Sequence, residues 1–209
     1  MIYDDSATSG RPGRPKSEEK RENISHAAAQ LFLTQGFEKT SMDNIAHTAG
    51  VSKQTVYSHF QNKDDLFGSC IRSKISEYDL AVDASQHESL ASGLRAMADG
   101  FLGLLSDPRV MSMWRLVINE STAHAQVAKI FFQTGPQATY HHLASFLKQH
   151  QDELAVADFN RTATTFLAIV GGPYQMPLML GLIDKIPEEE RASHVEKSTQ
   201  QFLRLFGKA

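Results

Sequence analysis

The chain has 209 residues and 41% are hydrophobic, enough to bury a full core, so it is not a disordered chain. A formal net charge of −3 excludes a uniformly basic nucleic-acid binder, and a single cysteine excludes an internal disulfide or a cysteine metal cluster. The charge is uneven, however: from Arg11 to Lys63 eight basic residues meet five acidic ones, an excess of three that leaves the rest of the chain at minus six.

Residues 1–16 are small, polar and rich in Gly and Pro, and are expected to form a disordered basic arm. MIYDDSATSG lacks the apolar centre of a signal peptide. The prolines of GRPGRPK keep Arg11, Arg14 and Lys16 extended, and the stretch looks like the Gly-Arg-Pro core of an AT-hook. An arginine there gains from the strong negative potential of a narrow A·T minor groove. A plain charged tail is the alternative.

Ser17 can cap a first helix running to Gln35, with Glu18 and Glu19 favourable in its first turn and Gly36 at its end. Its apolar stripe is Ile24, Ala27, Ala28, Leu31 and Phe32. Ser41 to Phe60 then spells two short helices. Met42, Ile45, Ala46 and Ala49 share one face of the first, and Gly50 stops it where a left-handed backbone suits glycine. Ser52 caps the second, Val56 and Phe60 point inward, and Lys53, Gln54, Thr55, Tyr57, Ser58 and His59 are left outward. That is the pattern of a helix-turn-helix, whose second helix offers its N-terminal end to the DNA major groove.

A fourth helix starts after the cap Asn62 and is expected to reach about Ala84. Cys70 on it reads as a buried structural thiol, and a lone thiol fits a reducing cytosol. Helical periodicity continues over about 87–105, 107–121, 124–134, 137–151, 158–183 and 187–206, broken at Pro108, Gly135–Pro136 and Pro187. No stretch alternates with period two long enough for a strand. Thr162 to Ile183 carries no charge and is long enough to span a bilayer. Gly171, Gly172, Pro173, Gln175, Pro177 and several threonines favour a buried, kinked helix instead. The stripe Val195, Thr199, Phe202, Leu203 and Phe206 needs a partner, so helices 158–183 and 187–206 are expected to meet their symmetry mates in a four-helix dimer interface. Packing within one subunit is the alternative.

Residues 27–67 resemble the TetR family of bacterial transcription regulators. The telling elements are Gly36-Phe37, Thr40-Ser41, Ile45-Ala46, Ala49-Gly50-Val51-Ser52, Tyr57-Ser58-His59-Phe60 and Lys63-Asp64-Asp65-Leu66. Further on, Arg115 to Glu120, Phe131-Phe132 and Gly135-Pro136 look like the AefR-like branch. The resemblance implies an all-α homodimer: a three-helix head over 17–62 and a helical body over 63–209 that binds ligand and dimerises. It also implies a cytoplasmic repressor that binds a palindromic double-stranded DNA operator and is released by a small-molecule effector, with no cofactor. By the same resemblance Thr40, Ser41, Ser52, Lys53, Gln54, Thr55, Tyr57, His59 and Lys63 join the arm as DNA-facing residues, with Lys63 in the place of a phosphate-contacting lysine. Gln54 has the chemistry of a base reader, since its amide pairs with two edge groups of adenine.

In the body, Phe101, Leu105, Met111, Met113, Trp114, Val117, Phe131, Phe132, Tyr140 and Phe166 are candidates to line an apolar cavity. Glu120, Arg115 and the pair His141–His142 are candidate polar anchors. The plain reading makes the aromatics core and the charges surface. Enzyme motifs are missing: no H-E-x-x-H, G-x-S-x-G, P-loop or dinucleotide glycine pattern. Adjacent histidines diverge by about 100° on a helix, so His141 and His142 do not readily share one ion. No metal site is assigned. A metal-responsive regulator, or a helical module that keeps the head without reading sequence, are the competing functions.

Overall fold

The structure is a computed structural model that describes residues 16–78, 80 and 89–208, the side chain of Lys16 excepted. Arg11, Arg14 and the Lys16 side chain, expected in a minor-groove arm, lie outside the described residues. Among those described there are ten α-helices, and the only extended pairing is one isolated bridge, Leu154 with Gly207. The architecture is all-α, with an N-terminal helix-turn-helix head and a helical body.

The head is built from α1 (Lys16–Gln35), α2 (Met42–Thr48), α3 (Lys53–His59) and the first turns of α4 (Lys63–Ser76). Phe32, Phe37 and Phe67 form its hub, their ring centroids 5.3–5.4 Å apart. Fully burying each of these rings contributes about 1.5–3 kcal/mol. Ile24, Ala28, Ile45, Val56, Phe60 and Leu66 complete the cluster. Val117, Val127 and Phe131 from the body join it. The division expected at 62/63 therefore falls across one continuous core, because α4 carries both Leu66 and Phe67 into it.

Helix α4 stops at Ser76 rather than near Ala84. Tyr78 and Leu80 dock on the body instead: the Tyr78 hydroxyl donates to Asp107 (2.7 Å) and Leu80 is buried. Gly100 makes room, since a Cβ there would come within 2.5 Å of the Tyr78 carbonyl.

The body holds α5 (Leu90–Leu105), α6 (Pro108–Glu120), α7 (Ala125–Thr134), α8 (Pro136–Gln149), α9 (Phe159–Leu180) and α10 (Glu188–Phe206). Leu94, Met97 and Leu102 of α5 meet Phe146 of α8, Phe166 and Val170 of α9 and Phe202 of α10 in its core. Two bidentate ion pairs, Arg191–Asp99 and Arg95–Glu196, clip α10 to α5. Helix α9 runs on through Pro173 and Pro177. Its C-terminus closes at Gly181 in the left-handed region, and Arg115 donates to the Met179 and Leu178 carbonyls at 2.7 and 2.9 Å. Among the described residues no helix is long and apolar enough to cross a membrane.

Candidate nucleic-acid interface and internal cavity

The turn between α2 and α3 is closed by two backbone bonds, Val51 N–H to Ala46 O (3.0 Å) and Gly50 N–H to His47 O (3.2 Å), with Gly50 at φ 65°. This is the six-to-one and five-to-two pairing that ends a helix at a left-handed residue. Ser41 and Ser52 accept from the Asn44 and Thr55 amides, so each short helix starts on a side-chain cap. Val56 is fully buried and anchors α3, which leaves Lys53, Gln54, Tyr57 and Ser58 in solvent.

The expected DNA-facing residues divide. Gln54 is exposed and Tyr57 is 48% exposed. Lys53 is exposed and bonds Asp43 at 2.8 Å, and that bond raises the pKa of its ammonium. A solvated pair of this kind is weak and is readily given up for another partner. The Ser52 hydroxyl lies 2.8 Å from that of Thr55. The His59 carbonyl accepts from Arg21, whose guanidinium sits over the Phe60 ring. Thr40 is buried, its hydroxyl donating to the Gly36 carbonyl at 2.7 Å, so its side chain braces the turn before α2. Lys63 is also engaged, donating to the Phe37 and Glu38 carbonyls (2.8 and 3.3 Å) with its ammonium 4.3 Å from the Phe37 ring centre. Three N–H bonds on one ammonium leave it a donor in hand.

A cavity of about 160 Å³ lies where head and body meet. Its walls include Ser25, His26 and Ala29 of α1 and Ile71, Lys74 and Ile75 in the second half of α4, so a head helix and the helix leading out of the head border it directly. Phe101, Leu105, Met113, Trp114, Phe131 and Tyr140, all expected there, line it. The other expected lining residues are elsewhere. Val117 belongs to the head cluster, Phe166 packs on Phe202 in the body core (5.0 Å), Met111 is body core, and Phe132 is 51% exposed. Glu120 reaches the head instead, accepting from Phe37 N–H at 3.2 Å. Arg115 caps α9, and His141 and His142 are exposed. Among the described residues no three His, Cys, Asp or Glu converge on a point fit for a metal. Cys70 is buried with its thiol donating to the Ser25 carbonyl, and burial pushes its pKa up to about 12, so it is not a reactive thiolate.

Sequence reasoning missed Lys74, Glu77, Arg109 and Gln175 in the cavity wall. Lys74 had a signal: it continues the inward stripe Phe67, Cys70, Ile71 at helical spacing, where a cation is out of place. It bonds Asp107 at 2.7 Å and Glu77 at 2.6 Å. Burial disfavours its charge, but the two carboxylates outweigh that and raise its pKa. Asp107 is pulled down despite its own burial, because Lys74, the Tyr78 hydroxyl and the Arg109 amide all donate to it.

The sequence profile of bacterial regulatory proteins of the tetR family matches residues 24–70, and that of the AefR-like transcriptional repressor C-terminal domain matches residues 92–208. The HTH-type transcriptional regulator AcrR of Shigella flexneri is 40% identical over 57 residues, which span 27% of this chain and 26% of that protein. The flavonoid-responsive regulator FrrA is 33% identical, with a TM-score of 0.73 over 91% of this chain and 98% of the other. A TetR-family regulator from Mesorhizobium loti superposes with a TM-score of 0.75 at 25% identity, covering 93% and 100%. Proteins of this kind are DNA-binding regulators and not enzymes. The chain belongs to the TetR family of bacterial transcription regulators, with an AefR-like C-terminal domain.

Proposed function

We propose that two copies of the chain form a cytoplasmic repressor that holds a palindromic operator until a small molecule enters the cavity of each. The observation that carries this reading is the position of the cavity: α1 of the head and the second half of α4, which leads out of the head, border it together with the body. A ligand there bears on the helices that orient α3, and shifts the population by its differential affinity for the two head positions.

In this reading Gln54 and Lys53 meet base edges, Tyr57, His59 and Ser41 meet the backbone, and the arm with Arg11, Arg14 and Lys16 adds minor-groove affinity. The two copies of α3 enter successive major grooves about 34–36 Å apart. The dimer forms through α9 and α10. Thr164, Ala168, Gly172, Met176 and Leu180 are exposed at four-residue steps on α9, without a charge among them, and Leu182 and Leu205 are exposed nearby in sequence or on α10. A Cβ on Gly172 would meet nothing within 4 Å, which leaves room for a second helix to approach. The effector has an aromatic framework, as the ring-lined cavity favours and the flavonoid response of FrrA supports. A mobility-shift and footprinting assay on DNA upstream of the gene tests the proposal. A protected palindrome is expected, and salt-sensitive binding with no preferred sequence overturns it.

A further inference from the structure

The cavity wall carries three charged side chains, Lys74, Glu77 and Arg109, among aromatic and aliphatic ones. Lys74, with 20% of its side chain exposed, ties the last turn of α4 to Asp107, 11% exposed, at the start of α6. Either carboxylate can lose Lys74 without being stranded. Asp107 would keep its bonds from the Tyr78 hydroxyl and the Arg109 amide, both 2.7 Å. Glu77 is half exposed and returns to water. Arg109 is exposed on the rim, and its guanidinium meets no carboxylate within ion-pair reach among the described residues. A buried ion pair is most costly to break when one charge is left with no partner. Asp107 keeps two neutral donors and Glu77 reaches water, which lowers the cost of exchanging Asp107 for an incoming carboxylate. Burial of its apolar part then decides the outcome. A cation would face Lys74 and Arg109, and a neutral molecule has nothing to exchange. The volume, close to the roughly 150 Å³ that accepts a benzene ring, fits one or two rings.

Resting on the effector reading above, we infer that the ligand is a one- or two-ring aromatic acid whose carboxylate takes Lys74 from Asp107 and thereby opens the joint between α4 and α6. Trp114 lines the cavity and is the chain's only tryptophan, so its fluorescence reports occupancy. The probes are benzoate, 2-naphthoate and 4-phenylbutyrate, each beside its primary amide, titrated into the full-length protein with operator release measured in parallel. At least one acid is expected to quench Trp114 and release DNA at a concentration where its amide does neither. Lys74→Met is expected to weaken that acid about ten-fold relative to its amide, as loss of one charge-assisted bond requires. Asp107→Asn, which keeps the cap of α6, is expected to do the opposite and tighten the acid by removing its competitor. Amides that bind as well as acids, no acid-selective quenching in any pair, or weakening of the acid by both substitutions overturns the inference while operator binding stands. A protein that binds no operator yet shows acid-selective, Lys74-dependent quenching overturns the regulator reading and supports the ligand assignment.

Discussion

The Glu120 carboxylate of α6 accepts the Phe37 N–H at 3.2 Å, and so a body helix grips the backbone just ahead of the helix-turn-helix. Its second oxygen lies 3.0 Å from His124 Nδ1, and His124 Nε2 lies 3.1 Å from Glu38. Gly36, at φ 87°, lets the carboxylate come this close, because a Cβ there would sit 2.8 Å from it. Replacing Glu120 with Ala leaves a partly buried amide unpaired, at a cost of about 1–3 kcal/mol. The expected outcome is a lower melting temperature, faster hydrogen exchange at Phe37 and weaker operator binding. Unchanged exchange at Phe37 would show that the grip is dispensable.

Gln54 and Lys63 should separate specificity from affinity. Gln54 is exposed and outside the core, so Gln54→Ala is expected to relax discrimination at one base pair by about 1–3 kcal/mol with the melting temperature unmoved. Lys63→Ala loses the bonds to the Phe37 and Glu38 carbonyls, and should weaken every sequence alike while also lowering thermal stability. Competition shifts with single-base operator variants, run beside thermal melts, check both.

Met176→Glu with Leu180→Glu places charge on the uncharged outer stripe of α9, where both residues are more than half exposed in one subunit. The fold should survive and the dimer should not. Sedimentation is expected to show the monomer mass with an unchanged helical spectrum, and a persisting dimer would place the interface elsewhere.

The Lys74–Asp107–Tyr78 joint predicts a pH profile. Asp107 is depressed below its ordinary value of 3.8, so its contribution is present above that pH and is lost as pH falls through the lower folded value. Lys74 and Tyr78 are raised above 10.5 and 10.0, Tyr78 by burial first and then by Asp107. Their contributions are complete below those values and fade at more alkaline pH. Asp107→Asn should therefore flatten the loss of stability below about pH 4, as followed by denaturant midpoints.

Local grammar made much of the head legible. Ser52 and Asn62 cap the helices they precede as expected, and Gly36 and Gly50 are left-handed where glycine was expected to end a helix, while α1 starts at Lys16, ahead of the expected cap Ser17. Contacts made far along the chain were not legible. Glu120 finds Phe37 across 83 residues and Lys63 finds it across 26, and neither spacing leaves a periodic trace. Trp114 and Phe131 line the cavity while Val117 and Phe166 fill core, since an apolar residue carries the same pattern whether its neighbour is protein or empty space. Helix α4 ends short of Ala84 where Tyr78 and Leu80 dock on the body, a contact that leaves no breaker in the sequence.

Helix α3 is seven residues long and owes its shape to one inward side chain, Val56, and to the Phe60 that follows it. A helix this short does not persist alone in water. Gln54 and Tyr57 on its outer side take no part in the core of the head, so exchanging them costs the scaffold little. Under the proposed reading, promoter preference can then shift with little loss of the fold.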